Sequence, residues 1–82
     1  MARQHRPLSA SEKRVRLTLA TNIKRALKKR TWSVVVLAKK ADVSKSLVYD
    51  LINMERAATV DILARLAKPL HMEAWELIRP RR

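Results

Sequence analysis

The sequence contains no glycine, where roughly six would be average for a chain of this length. That excludes the glycine-rich loops that cradle phosphates in nucleotide-binding enzymes. Cysteine is also absent, so there is no disulfide staple and no thiolate metal site. The two histidines, His5 and His71, lie too far apart to form a metal-ligand motif. Neither metal nor cofactor is expected. No pair of carboxylates suited to acid–base work and no nucleophile beside a histidine can be found, so the chain does not read as an enzyme. Aromatic residues number three, Trp32, Tyr49 and Trp75, too few for the stacking surface that RNA-binding modules use. The longest apolar run, Val34 to Ala38, falls far short of the roughly 20 residues that span a bilayer. The basic N-terminus leads into no apolar segment, so no secretory signal is expected either. The expected compartment is the cytoplasm of a prokaryotic or phage-infected cell, at the nucleoid.

What the chain has in excess is positive charge. Its 82 residues hold 19 Lys and Arg against 7 Asp and Glu, a net charge of +12. The excess is uneven: residues 1–45 carry +11 and residues 46–82 only +1. A field so concentrated attracts polyanions. Two other readings exist, a solvated surface kept for solubility and a basic amphipathic membrane helix. The membrane helix is disfavoured, because apolar positions continue at regular spacing beyond the basic half, as a soluble core requires. With 48% hydrophobic residues, the chain is long enough for one domain, though its stability margin is thin.

The spacing predicts an all-α fold of five helices. Residues 1–8 read as a basic arm, 9–79 as the domain and 80–82 as a basic tail. Ser9 and Glu12 form a capping box for a first helix over 10–29, with Val15, Leu19, Ile23, Ala26 and Leu27 as its apolar stripe. Ser33 caps a second helix over 34–40. Three consecutive valines there favour a strand, but no second strand exists to pair with it. Ser44 caps a third helix over 45–52, with Val48, Leu51 and Ile52 on one face. Thr59 caps a fourth, with Val60, Leu63, Leu66, Ala67 and Leu70 turned inward and Pro69 tightening or kinking its end. A fifth spans 72–78, with Trp75 and Leu77 facing the core and Pro80 stopping it.

The second and third helices have the side chains a helix-turn-helix needs. Ala38 is small where the third helix crosses, Asp42 takes the turn, Val43 plugs the core, and Val48 and Leu51 lock the pair. The run Ser44-Lys45-Ser46-Leu47-Val48-Tyr49-Asp50-Leu51-Ile52-Asn53 carries the resemblance furthest. Thr59 to Leu63, Leu66 to Lys68 and Glu73 to Leu77 extend it. Residues 21–78 are similar to the DNA-binding domain of the phage repressor and Cro family.

That resemblance implies a sequence-specific regulator that binds double-stranded DNA, a repressor acting as a homodimer on an inverted repeat. It places the third helix in the major groove, with Lys45, Ser46 and Tyr49 at base edges and Leu47 against a thymine methyl. Phosphate contacts are expected from Ser33, Ser44, Asn53 and Arg56, from Lys24, Lys28 and Lys39, and from Arg3 and Arg6 of the arm. Asp50 is expected to face away from the bases. The alternatives are an antitoxin, whose helical body also masks a protein partner, and a nonspecific nucleic-acid coat. The sequence departs from the family at three points. Val34 stands where a phosphate-bracing glutamine usually begins the second helix. Asp42, Met54 and His71 stand where glycine is frequent. Asp and His tolerate a left-handed backbone better than most residues; Met does not, leaving Asn53 as the alternative at that turn. Val35 and Val36 place an apolar spot on a normally polar helix face, either a partner patch or packing beneath Trp32.

Overall fold

The computed structural model describes residues 7–80. Within them the chain forms α1 (Ala10–Arg30), α2 (Val34–Ala41), α3 (Lys45–Ile52), α4 (Val60–Ala67) and a terminal 3₁₀ helix (Ala74–Ile78), with no strand. The expected all-α class holds, but the fifth segment winds as a 3₁₀ helix, so the α-helices number four. No helix among the described residues is long and apolar enough to cross a membrane. The expected arm residues Arg3 and Arg6 lie outside the described residues.

Each α-helix starts at a hydroxyl. Ser9 Oγ accepts from the Glu12 amide at 3.1 Å while the Glu12 carboxylate accepts from the Ser9 amide at 2.8 Å, the reciprocal pair of a capping box. Ser33, Ser44 and Thr59 accept from the amides of Val36, Leu47 and Ile62 at 3.1–3.2 Å. These bonds satisfy donors that the first helical turn leaves without partners. They also explain why Val34-Val35-Val36 is helical: a cap and a packed face outweigh the modest strand preference of valine.

The core is a single cluster. Leu19, Ile23 and Leu27 of α1 meet Leu37 and Ala38 of α2, Val48 and Leu51 of α3, Leu63 and Leu66 of α4, and Leu70 and Leu77 beyond. Ala38 is buried under α3 as its size requires, and Val43 and Ile52 pack against the rim. Several stripe positions differ from expectation. Val15 and Val60 are exposed, because α1 overhangs the core at its N-terminus and Val60 is the first residue of α4. Helix α4 ends at Ala67, and Leu70 reaches the core from the following turn; Pro69 has no amide to continue the ladder. Trp75 is 56% exposed while Leu77 is fully buried. Three residues per turn put Ala74 and Leu77 on one face and Trp75 and Ile78 on another. Trp75 therefore lies beneath the Arg79 guanidinium, 5.7 Å from the ring centre, and not in the core.

Among the described residues four take positive φ: Thr31 (54°), Asp42 (58°), Met54 (63°) and His71 (56°). Asp42 and His71 fulfil the expectation. At the third turn Asn53 has φ −85°, so Met54 and not Asn53 is the left-handed residue. Each of the four closes a Schellman turn. The amides of Trp32, Val43, Glu55 and Met72 donate to the carbonyls of Leu27, Ala38, Asp50 and Ala67 at 2.8–3.0 Å. Geometry requires the left-handed residue one position before each of these amides, and the sequence has only side chains with a Cβ to offer.

The C-terminal segment is fastened by one buried polar side chain. Asn22, 4% exposed in the middle of α1, directs Nδ2 at the carbonyls of Leu77 (2.9 Å), Arg79 (3.0 Å) and Glu76 (3.3 Å). Its two N–H groups are shared among these three carbonyls, of which that of Glu76 also accepts from the Arg79 amide at 3.4 Å.

Two stability predictions follow from these features. Thr31→Gly removes the strain of a β-branched residue at positive φ and should stabilise the domain by about 0.5–1 kcal/mol after the added flexibility of the unfolded chain is subtracted. Asn22→Ala removes the side-chain donor from the buried bond to the Leu77 carbonyl and should destabilise it by about 1–3 kcal/mol. Urea denaturation followed by circular dichroism measures both; opposite signs for the two variants are the expected result.

Candidate nucleic-acid interface

Helix α3 buries Leu47, Val48 and Leu51, which fixes its rotation about its own axis. Lys45, Ser46, Tyr49 and Asn53 then fall on the solvent side at spacings of three and four, with Tyr49 48% exposed. Leu47 lies on the opposite side, 8% exposed within the core cluster. The expected thymine-methyl contact from Leu47 is therefore corrected: the residue helps hold α3 against α2. Asp50 is half-buried and pairs with Arg56 at 3.5 Å. The ion pair turns Asp50 toward the loop that follows α3, in keeping with its expected withdrawal from the reading face.

The residues expected at phosphates are spread over three elements. Ser33 and Ser44 are exposed at the starts of α2 and α3. Their oxygens accept the capping bonds, which leaves each hydroxyl proton free to donate to an anion. Lys24 and Lys28 are exposed on α1, Lys39 on α2, and Asn53 and Arg56 just past α3. Lys40 is held differently. Its Nζ stands 5.1 Å from the centre of the Trp32 ring, which Arg30 approaches at 5.8 Å, so Trp32 shares its π-face with two cations. Val35 remains about half exposed beside this cluster, while Val34 packs against the core.

The helix ends distribute charge in a way that composition conceals. Helices α1 and α4 carry an acid in the first turn, Glu12 and Asp61, whereas α2 and α3 carry none. Exposed amides and an uncompensated positive dipole end make the starts of α2 and α3 suited to anions. Lys45 adds a full charge at the first residue of α3. The two helices whose starts would meet phosphates are thus the two without a carboxylate there.

Three features escaped the reading of the sequence: Asn22, the left-handed Met54, and guanidinium contacts from Arg16, Arg30 and Arg65 to backbone carbonyls. The one available signal for Asn22 was a polar residue one step from Ile23 on the apolar side of α1. An arginine aimed at a carbonyl has no sequence signature at all.

This arrangement, a short capped helix, a left-handed turn and a second short helix with a polar outer face, defines a DNA-binding helix-turn-helix. A helix-turn-helix family model matches residues 23–73, and the chain belongs to the Cro/repressor-type helix-turn-helix family, whose members bind DNA in transcription regulation. Among solved structures, the crystal structure of a hypothetical transcription factor, NHTF, from Neisseria is similar in fold. It has a TM-score of 0.79 at 21% identity, over 93% of this chain and 88% of that one. No curated protein matches in sequence.

Proposed function

We propose that the protein is a sequence-specific, non-enzymatic transcriptional regulator that binds double-stranded DNA as a homodimer, acting as a repressor at an inverted repeat. The observation that carries this reading is the outer face of α3, where Lys45, Ser46 and Tyr49 project from a helix locked into the core on its other side. Lysine donates to guanine O6 and N7, and serine serves either base type. Phosphates would be met by Ser33, Ser44, Asn53, Arg56, Lys24, Lys28 and Lys39, with Arg3 and Arg6 of the arm as further contacts. Val34 cannot brace a phosphate, so the Ser33 hydroxyl and the start of α2 take that part.

One α3 reads about four base pairs, too few for selectivity, and a twofold dimer doubles the site. The fourth helix and the C-terminal segment supply the interface. Val60 is 77% exposed at the start of α4, and Ile78 and Trp75 are exposed on the 3₁₀ helix. Val60 and Ile78 line a largely apolar groove of about 310 Å³ with Val15, Leu19, Ala58 and Leu63, which Glu12, Arg16 and Arg56 also line. Residues 46–82, which supply Val60, Trp75 and Ile78, are nearly neutral, so two copies can approach through them with less repulsion than the basic half would cause.

Selection of duplexes from a random pool tests the reading. An enriched inverted repeat, with half-sites about 34 Å apart along the helix axis, is the expected result. Enrichment of no sequence indicates a coating protein, and binding that requires a second protein indicates an antitoxin. On the selected duplex, Lys45→Ala should lose about 1–3 kcal/mol per half-site and much less on scrambled DNA. Arg56→Ala should weaken both duplexes alike and flatten the salt dependence by about one unit of slope. Equal losses for Lys45→Ala on both duplexes would move Lys45 from the bases to the backbone. Val60→Asp should shift the dimer to monomer in sedimentation and weaken operator binding, while a wild-type protein that stays monomeric on its operator overturns the dimer.

A further inference from the structure

Helix α3 is bracketed by two left-handed residues, Asp42 three positions before its first residue and Met54 two positions after its last. Both take a backbone region that a residue with a Cβ enters only against steric strain. Among the described residues no backbone amide donates to the carbonyl of either one. A guanidinium from a different helix meets each instead. Arg65 of α4 donates from Nη1 to the Asp42 carbonyl at 3.1 Å and stands 3.7 Å from the Asp42 carboxylate. Arg16 of α1 donates from Nη1 to the Met54 carbonyl at 3.2 Å across a part-buried gap of 38 residues in sequence. Arg30 repeats the device at the fourth turn, donating to the carbonyl of Leu70, the neighbour of left-handed His71.

We propose that Arg16 and Arg65 are positioning residues that clamp the two ends of the recognition helix, doing by hydrogen bond what glycine would do by conformational freedom. Arg16 holds the segment from Asn53 to Arg56 against α1, and the Arg56–Asp50 pair ties the same segment to α3. Asn53 and Arg56 are thereby fixed relative to Lys45, Ser46 and Tyr49. Arg16, one of the chain's 19 cations, is half-buried against the backbone and taken from the set available to phosphates, whereas the Arg65 side chain stays 57% exposed. The consequence for affinity rests on the DNA-binding reading; the clamp itself does not.

Glycine at position 54 supplies the test, because it occupies the left-handed region without help. Amide hydrogen exchange at Met54 and Glu55 is compared with that at the core amides of Leu66 and Ala67, in the wild type, Arg16→Ala, and Arg16→Ala with Met54→Gly. Arg16→Ala should speed exchange at residues 54 and 55 by about fivefold or more relative to the core, and the second substitution should restore slow exchange at residues 54 and 55. On the selected duplex Arg16→Ala should weaken binding by roughly tenfold with the salt slope unchanged, and Met54→Gly should recover most of the loss. A slope reduced by about one unit with no recovery would identify Arg16 as a phosphate anchor and overturn the proposal. Unchanged exchange at residues 54 and 55 overturns it as well. If no duplex is bound, the DNA-binding reading fails while the exchange data still decide the clamp. Should Arg16→Ala not fold, Arg16→Met, which keeps an unbranched stem of similar length but has no donor, takes its place with the same readouts.

Discussion

The carbonyls of Leu27, Ala38, Asp50 and Ala67 each accept an amide from five residues ahead, and that bond forms only if the residue before the donor lies in the left-handed region. All four turns of the domain depend on this geometry. It sets the angle between α1 and α2, the crossing of α2 by α3, the exit from α3 and the approach to the 3₁₀ helix. With those angles set, the apolar faces of one long and three short helices converge on Ile23, Leu37, Leu51 and Leu66, all essentially without exposure. Helices of eight residues are marginal alone. Here the turns and the shared core keep them in place, and propensity contributes little.

The same geometry separates the chemical tasks of the surface. Burial of Leu47, Val48 and Leu51 commits one side of α3 to packing and releases the other for Lys45, Ser46 and Tyr49. Acids in first turns are confined to α1, α4 and the 3₁₀ helix. The helix-turn-helix pair instead starts at serine caps with no acid in either first turn, and α3 adds Lys45. Net charge alone describes a polyanion binder; its placement matters for the proposed reading, because contacts at fixed helix ends would set the orientation of a bound backbone.

Much of this was legible because it depends on local chemistry. Hydroxyl caps at Ser9, Ser33, Ser44 and Thr59 mark helix starts within a residue, and a small Ala38 with an apolar Val43 marks the crossing. The left-handed Asp42 and His71 were legible for the same reason, since their side chains tolerate that conformation. Met54 was not, because tertiary constraint overrode preference: the next amide must reach the Asp50 carbonyl, and Asn53 completes the helix instead. Trp75 and Leu47 were misread through rotation about a helix axis. Trp75 sits on a segment wound three residues per turn, and Leu47 belongs to the buried edge of α3, where an eight-residue helix gives periodicity few repeats to define a face. Asn22 was missed because its partners are carbonyls more than 50 residues away.

The lack of glycine also acts on the chain before it folds. Glycine loses more backbone freedom on folding than any other residue, by roughly 0.5–1 kcal/mol relative to alanine. A glycine-free chain explores a narrower set of unfolded conformations, and less entropy is surrendered on ordering it. Strain at Thr31, Asp42, Met54 and His71 raises the energy of the folded state, while the restricted unfolded ensemble raises the free energy of the other side of the equilibrium. For a domain with a core this small, and with no covalent cross-link, the second effect offsets part of the first.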